Sequence, residues 1–175
     1  MKDNQRTKQF IGEDTRRRDL ITPEREHDAY KARKKPHGPL HCTQCGAVYE
    51  HGRWEWAKAS PAAAEKEICP ACHRINDNYP AGEIHIGGDF ALEHRDELME
   101  LVRHCETREN KEHPFSRIMA VREEGGEIVV TTTDIHLPHI IGNALERAYK
   151  RQAEFHYDQP GYFLRVNWRR GAEKD

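Results

Sequence analysis

Four cysteines have the types and spacing to do chemistry: Cys42-Thr-Gln-Cys45-Gly46 and Cys69-Pro-Ala-Cys72, with twenty-three residues between Cys45 and Cys69. Within each C-x-x-C pair the two-residue turn lets both sulfurs reach one ion. Two such knuckles held apart by a hairpin-sized segment complete a tetrahedral thiolate shell, which is the spacing of a zinc ribbon. A closed shell of four thiolates has no open position for water, so one Zn2+ held there is expected to support structure and carry out no reaction. Two disulfides or buried apolar thiols are the competing readings, and each leaves the paired spacing as a coincidence. Iron–sulfur ligation is a further alternative. Cys105 stands apart from both pairs, and an odd number of cysteines with a polar, uncleaved-looking start argues against an oxidising compartment.

The elements that must position the knuckles are short. Ala47-Val-Tyr-Glu-His-Gly52-Arg-Trp-Glu-Trp56 reads as two strand pieces around a turn at His51-Gly52. Alternation places Trp54 and Trp56 on one face and Arg53 and Glu55 on the other. Trp54 stacks on splayed bases in one reading, with Arg53 adding a planar cation. In the other, the tryptophans cover the cysteine knuckle. Ala57 to Glu67 is alanine-rich and reads as a helical or loose insertion opened by Ser60-Pro61. Arg74, just after the second knuckle, is a candidate phosphate contact.

Residues 1–40 show no sustained period and read as an extended arm. The net charge is −2, but it is unevenly placed. The stretch Tyr30 to His41 holds Lys31, Arg33, Lys34 and Lys35 and no acid, whereas Glu93, Asp96, Glu97, Glu100, Glu106, Glu109 and Glu112 dominate the middle. With Arg16, Arg17 and Arg18, the basic front suits a phosphate backbone, where affinity comes from counterion release. A solvated tail is the plainer alternative. No span approaches the ~20 apolar residues of a membrane helix, and a cytoplasmic protein with no membrane partner is expected.

The pattern changes from residue 81. Glu83-Ile-His-Ile86 is an alternating strand ended by Gly87-Gly88, and Leu98, Leu101, Val102 and Cys105 form one face of a helix. Cys105 then belongs to a buried stripe as an inert thiol. Ser116 to Arg122 and Glu127 to Thr133 read as a hairpin. A second amphipathic helix follows, with Asp134 as its N-cap and Pro138 in its first turn. Glu154 to Tyr157 and Tyr162 to Trp168 close the chain as a further hairpin, and Tyr162, Arg165, Trp168, Arg169 and Arg170 form either an aromatic and basic patch or core aromatics with a basic tail. The expected class is α+β: an arm (1–40), a four-cysteine zinc ribbon (41–80) and a ferredoxin-like β-α-β-β-α-β domain (81–175).

This fold names no function by itself, and the central strands Ile84-His-Ile86 and Ile128-Val-Val130 lack the stacking aromatics of an ordinary RNA-recognition motif. Twelve histidines invite an enzymatic reading, notably His85, His94, His104, His136 and His139 with Asp89 and Asp134. Yet no H-E-x-x-H, phosphate loop or G-x-S-x-G elbow accompanies them. Catalysis is therefore not expected, and a metal-dependent enzyme would require a second ion bound through histidines.

The Cys42 and Cys69 knuckles, the Trp-bearing strand between them and the transition Thr132-Thr-Asp134-Ile-His-Leu-Pro-His-Ile-Ile-Gly142 together resemble the zinc-ribbon part of the export adaptor for the large ribosomal subunit and its archaeal relatives. They are also similar to small uncharacterised bacterial zinc-ribbon proteins related to it. The adaptor family carries more cysteine pairs and later domains for which this chain has no room, so its docking residues do not transfer. The resemblance implies a class of partner: the ribosome or rRNA, and with it a ribosomal protein. The expected function is that of a non-catalytic, RNA-binding, ribosome-associated protein. A protein–protein adaptor whose ribbon touches no RNA is the alternative.

Overall fold

The computed structural model describes residues 28–30, 35–57, 59–158 and 162–171. Among these, the chain is mixed α+β, with two sheets and four helices. Arg16, Arg17, Arg18, Lys31, Arg33 and Lys34 lie outside the described residues, as does most of the expected arm.

The first sheet is small. Strands β1 (Leu40–Cys42), β2 (Val48–Glu50), β3 (Arg53–Glu55) and β4 (Glu65–Glu67) run in the order β3-β2-β1-β4. β2 and β3 flank the turn at His51-Gly52 as the sequence suggests. The alanine-rich stretch departs from its reading as a helical or loose insertion. It turns at 62–63 and returns as β4, parallel to β1 with Leu40 opposite Glu65 and Cys42 opposite Glu67. Helix propensity loses here because a short helix has no apolar face to bury, whereas the strand gains ladder hydrogen bonds from an otherwise unpaired edge of β1. Helix α1 (Pro70–Asn76) follows directly.

The second sheet carries the main core. β5 (Gly82–Gly87), β6 (Ile118–Glu124), β7 (Glu127–Thr132), β8 (Ala153–Asp158) and β9 (Phe163–Arg169) lie in the order β6-β7-β5-β9-β8. One face packs against α2 (Asp89–Glu93), α3 (Arg95–Asn110) and α4 (His136–Tyr149). Period-two alternation sends Ile84, Ile86, Ile128, Val130, Leu164, Val166 and Trp168 into that layer. There they meet Leu98, Val102, Leu137, Ile141 and Leu145, all 0% exposed. Each such side chain contributes about 1.5–3 kcal/mol by leaving water. Cys105 is buried in the same stripe, and burial raises its thiol pKa. α4 runs close over β8 and β9: a Cβ on Gly142 would sit 2.9 Å from the Phe155 ring and from Val166 Cγ1, so only glycine allows the approach.

The expected β-α-β-β-α-β order is not reproduced as it stands: two helices, α2 and α3, separate β5 from β6, and one more strand closes the chain. The closing hairpin contributes two strands, and β9, the second of them, lies beside β5 and parallel to it. The sheet therefore has five strands and is mixed, because β9 carries the three apolar residues that complete the core while β8 is exposed along most of its length. Asp134 does the work expected of it at the start of α4, its Oδ1 accepting the Leu137 N–H at 3.0 Å, with Ile135 at the geometric boundary.

Candidate metal centre

Each knuckle is built by local backbone. At the first, Cys42 N–H donates to the Ala47 carbonyl at 2.8 Å and Gly46 N–H to the Cys42 carbonyl at 3.0 Å. This closes a turn in which Gly46 takes a φ of +79°, a left-handed conformation that glycine adopts without steric cost. At the second, Cys69 is the N-cap of α1, Pro70 opens the helix, and Cys72 falls within its first turn, its N–H 3.5 Å from Cys69 Sγ. Pairing of β1 with β4 carries the first knuckle to the second, and Cys69 N–H points at Cys42 Sγ, 3.3 Å away.

The result is that all four Sγ atoms lie within 4.8 Å of one another, a cluster able to hold a metal ion. Cys42 and Cys72 are 3.8 Å apart and Cys45 and Cys69 are 3.7 Å apart, and all four are free thiols rather than disulfides. Cys42, Cys69 and Cys72 are buried and Cys45 is half-buried. Hydrogen bonding to Cys69 pulls the Cys45 thiol down to about 4 against the opposing effect of burial, and the Arg117 charge acts in the same direction. The reciprocal bond from Cys45, together with burial, pushes Cys69 up, and burial raises Cys72. The hydrogen bond thus favours the thiolate at Cys45, the form in which cysteine ligates metal.

Trp54 takes the covering role. It is half-buried against the cluster, its ring 5.7 Å from Tyr49 and 5.9 Å from Phe115, the latter supplied by the loop before β6. Trp56 lies past the end of β3. It is 39% exposed, and its indole N–H donates to the Asn110 carbonyl at the end of α3.

Arg74 requires a correction. The expected phosphate contact is 2% exposed: its guanidinium pairs with Asp28, donates to the Tyr79 carbonyl at 3.1 Å and lies 4.5 Å from the Tyr30 ring centroid. The helical position after Cys72 directs it inward, and the Asp28–Tyr30 segment closes over it, with Tyr30 Oη donating to Asp77. Arg53 is exposed and pairs with Glu55 at 3.1 Å. Lys35 is also exposed, and its ammonium comes within 3.9 Å of where a Cβ on Gly52 would stand, at the same turn that carries Arg53 and exposed His51. The carboxyl-terminal candidates are dispersed by strand alternation. Trp168 is in the core, Arg165 pairs with Glu83 on the opposite face, Arg169 pairs with Glu127, and Arg170 stacks on Phe90. Of the histidines, His85 sits between Glu83 and Glu127 at 3.3 Å each on the helix-free face of the sheet, and His136 and His139 are exposed.

Sequence reasoning missed Arg117. It precedes β6, and its two terminal nitrogens lie 3.5–3.8 Å from the sulfurs of Cys45, Cys69 and Cys72. Nothing local distinguishes it from other arginines, because its partners stand 45 to 72 positions earlier in the chain. No protein-family model, curated protein or solved structure matches this chain.

Proposed function

We propose that this is a non-catalytic zinc-ribbon protein that binds RNA and associates with the ribosome in the cytoplasm, acting in assembly, translation control or stress-time silencing. The observation that carries the metal assignment is the sulfur spacing. A tetrahedral zinc–thiolate shell with bonds of about 2.3 Å has edges of about 3.8 Å; two of the six edges, Cys42–Cys72 and Cys45–Cys69, are 3.8 and 3.7 Å, and all four sulfurs lie within 4.8 Å of one another. Zinc is the ion whose chemistry matches four thiolates on two C-x-x-C knuckles, and a closed shell makes its role structural. The residues that would hold it are Cys42, Cys45, Cys69 and Cys72. The module that follows is read as a ferredoxin-like core from β5 to α4, extended by the β8–β9 hairpin.

RNA contact is supported by the gathering of Lys35, the last residue of the basic run Lys31, Arg33, Lys34, Lys35 in the sequence, with His51 and Arg53 at one turn of the ribbon. In this reading the basic run, with Arg16 to Arg18, neutralises rRNA phosphates while the metal-stiffened ribbon fixes the direction of approach. The acidic outer face of α3 is turned toward a ribosomal protein or solvent.

A second reading, a protein–protein adaptor, is favoured by one observation: Trp54 and Arg74, two of the expected RNA contacts, are used in internal packing. Co-sedimentation of the zinc-loaded protein with ribosomes across a salt series separates the two. Wild type should pellet at low salt and be released steeply as salt rises, and a Lys31/Arg33/Lys34/Lys35→Ala variant should stay in the supernatant. Binding that ignores salt and survives the four substitutions would assign the adaptor role instead.

A further inference from the structure

Arg117 reaches across from the five-stranded domain to the cysteine cluster. Its guanidinium is a polar contact between the five-stranded module and the cysteine cluster. Nη1 lies 3.6 Å from Cys72 Sγ, and Nη2 lies 3.5, 3.6 and 3.8 Å from Cys69, Cys72 and Cys45 Sγ. The third nitrogen, Nε, is buried with no hydrogen-bond partner. The half-buried side chain is thus directed at sulfur, and an arginine drawn out of water is normally matched by acceptors of opposite charge. A dication in four thiolates leaves a shell of charge −2; Arg117 offsets one unit of it and supplies N–H donors to three of the four sulfurs.

The backbone of Arg117 is fastened to the far module. Arg117 N–H donates to Thr133 Oγ1 at 3.1 Å, and Thr133 N–H returns to the Arg117 carbonyl at 3.0 Å. On either side, Ser116 Oγ donates to Asp134 Oδ2 at 2.7 Å, and Ile118 N–H donates to Glu106 Oε1 at 2.6 Å. Asp134 in turn caps α4. The loop that carries the guanidinium is therefore hydrogen-bonded to the end of β7, the start of α4 and the body of α3. A second bridge, Trp54 against Phe115, lies alongside it.

We propose that Arg117 is a positioning residue that makes the seating of the five-stranded domain on the ribbon depend on metal occupancy. The proposal rests on the metal reading above. With the ion in place, three sulfurs converge on one guanidinium and the 115–118 loop is pinned. When the ion leaves, the sulfurs lose their common centre, the acceptors no longer converge, and the loop with its links to Thr133 and Asp134 loosens. A change confined by chemistry to the knuckles is then transmitted to a domain that holds none of the ligands.

The test is amide hydrogen exchange on the full chain, zinc-loaded and chelator-stripped, with metal content measured in parallel and Arg117→Gln and Arg117→Lys as variants. Stripped wild type should exchange faster at 115–118 and 131–137 as well as in the ribbon. Loaded Arg117→Gln should still bind one zinc but exchange fast at those positions in both states, so that its chelator-dependent difference there disappears. Its zinc should pass to a competing chelator roughly 10-fold faster or more, the usual scale of a lost outer-shell partner. Arg117→Lys, which keeps the charge without the planar fork, should fall between the two. Wild type that binds one zinc yet changes only within the ribbon on stripping would overturn the latch and leave the metal reading intact. Wild type that takes up no metal would overturn both.

Discussion

Replacing Trp54 with alanine separates a structural tryptophan from a base-stacking one, and the structure sets the size of the effect. Full burial of a tryptophan makes its truncation cost about 3–5 kcal/mol. Trp54 is half-buried, which brings that to about 2 kcal/mol, and its ring contacts with Tyr49 and Phe115 add about 1 kcal/mol between them. The expected loss is about 3 kcal/mol, a large fraction of the 5–15 kcal/mol typical of a folded domain. In urea, with a slope of about 2 kcal/mol per molar, the midpoint should fall by about 1.5 M when zinc is kept in constant excess. Trp54→Phe, which retains a ring against both neighbours, should recover more than half of the loss. RNA affinity of whatever Trp54→Ala remains folded should match wild type. An unchanged midpoint together with weakened RNA binding would refute the reasoning and return Trp54 to the role of a stacking platform.

Two further outcomes follow from the same packing. Asp28→Ala leaves Arg74, 2% exposed, without its carboxylate, and should cost about 3 kcal/mol in chemical denaturation, as breaking a buried pair does; a loss within error of zero would show that the Asp28–Tyr30 segment is dispensable. Burial raises the Asp134 carboxyl above its usual 3.8 despite the hydrogen bonds from Ser116 Oγ and the Leu137 N–H. A raised folded-state value means that its contribution is fully present below 3.8 and is lost as pH climbs through the folded value. Asp134→Asn, which keeps an oxygen for the Leu137 N–H, should therefore remove a downward slope in stability on the acid side of neutrality. A variant whose pH profile overlays that of wild type would exclude Asp134 as its source.

The knuckles were legible in the sequence because their chemistry is local. Two residues separate the cysteines of a pair, a glycine or a helix start shapes each turn, and the cysteine type itself is uncommon. The strands and the two long helices from β5 onward were legible for a similar reason, since each buries one face and periodicity records which; the five-residue α2 is too short for such a record. β4 was not, because a three-residue strand of Glu-Lys-Glu has no apolar alternation and exists through its parallel pairing with β1. Nor was the placement of β9 beside β5, since both strands of the closing hairpin read alike until a core selects the one with Leu164, Val166 and Trp168.

For the site, the sequence by itself determined which four side chains meet, while the tertiary structure decided what surrounds them. Arg74 and Arg117 are the same residue type at unremarkable positions. One is folded inward under Asp28 and three tyrosines, and the other is carried on a loop of the second module to within 3.8 Å of three sulfurs. A charge shows its purpose only through its partner. For both arginines that partner lies 45 or more residues away in the chain, a separation across which neither periodicity nor spacing carries information.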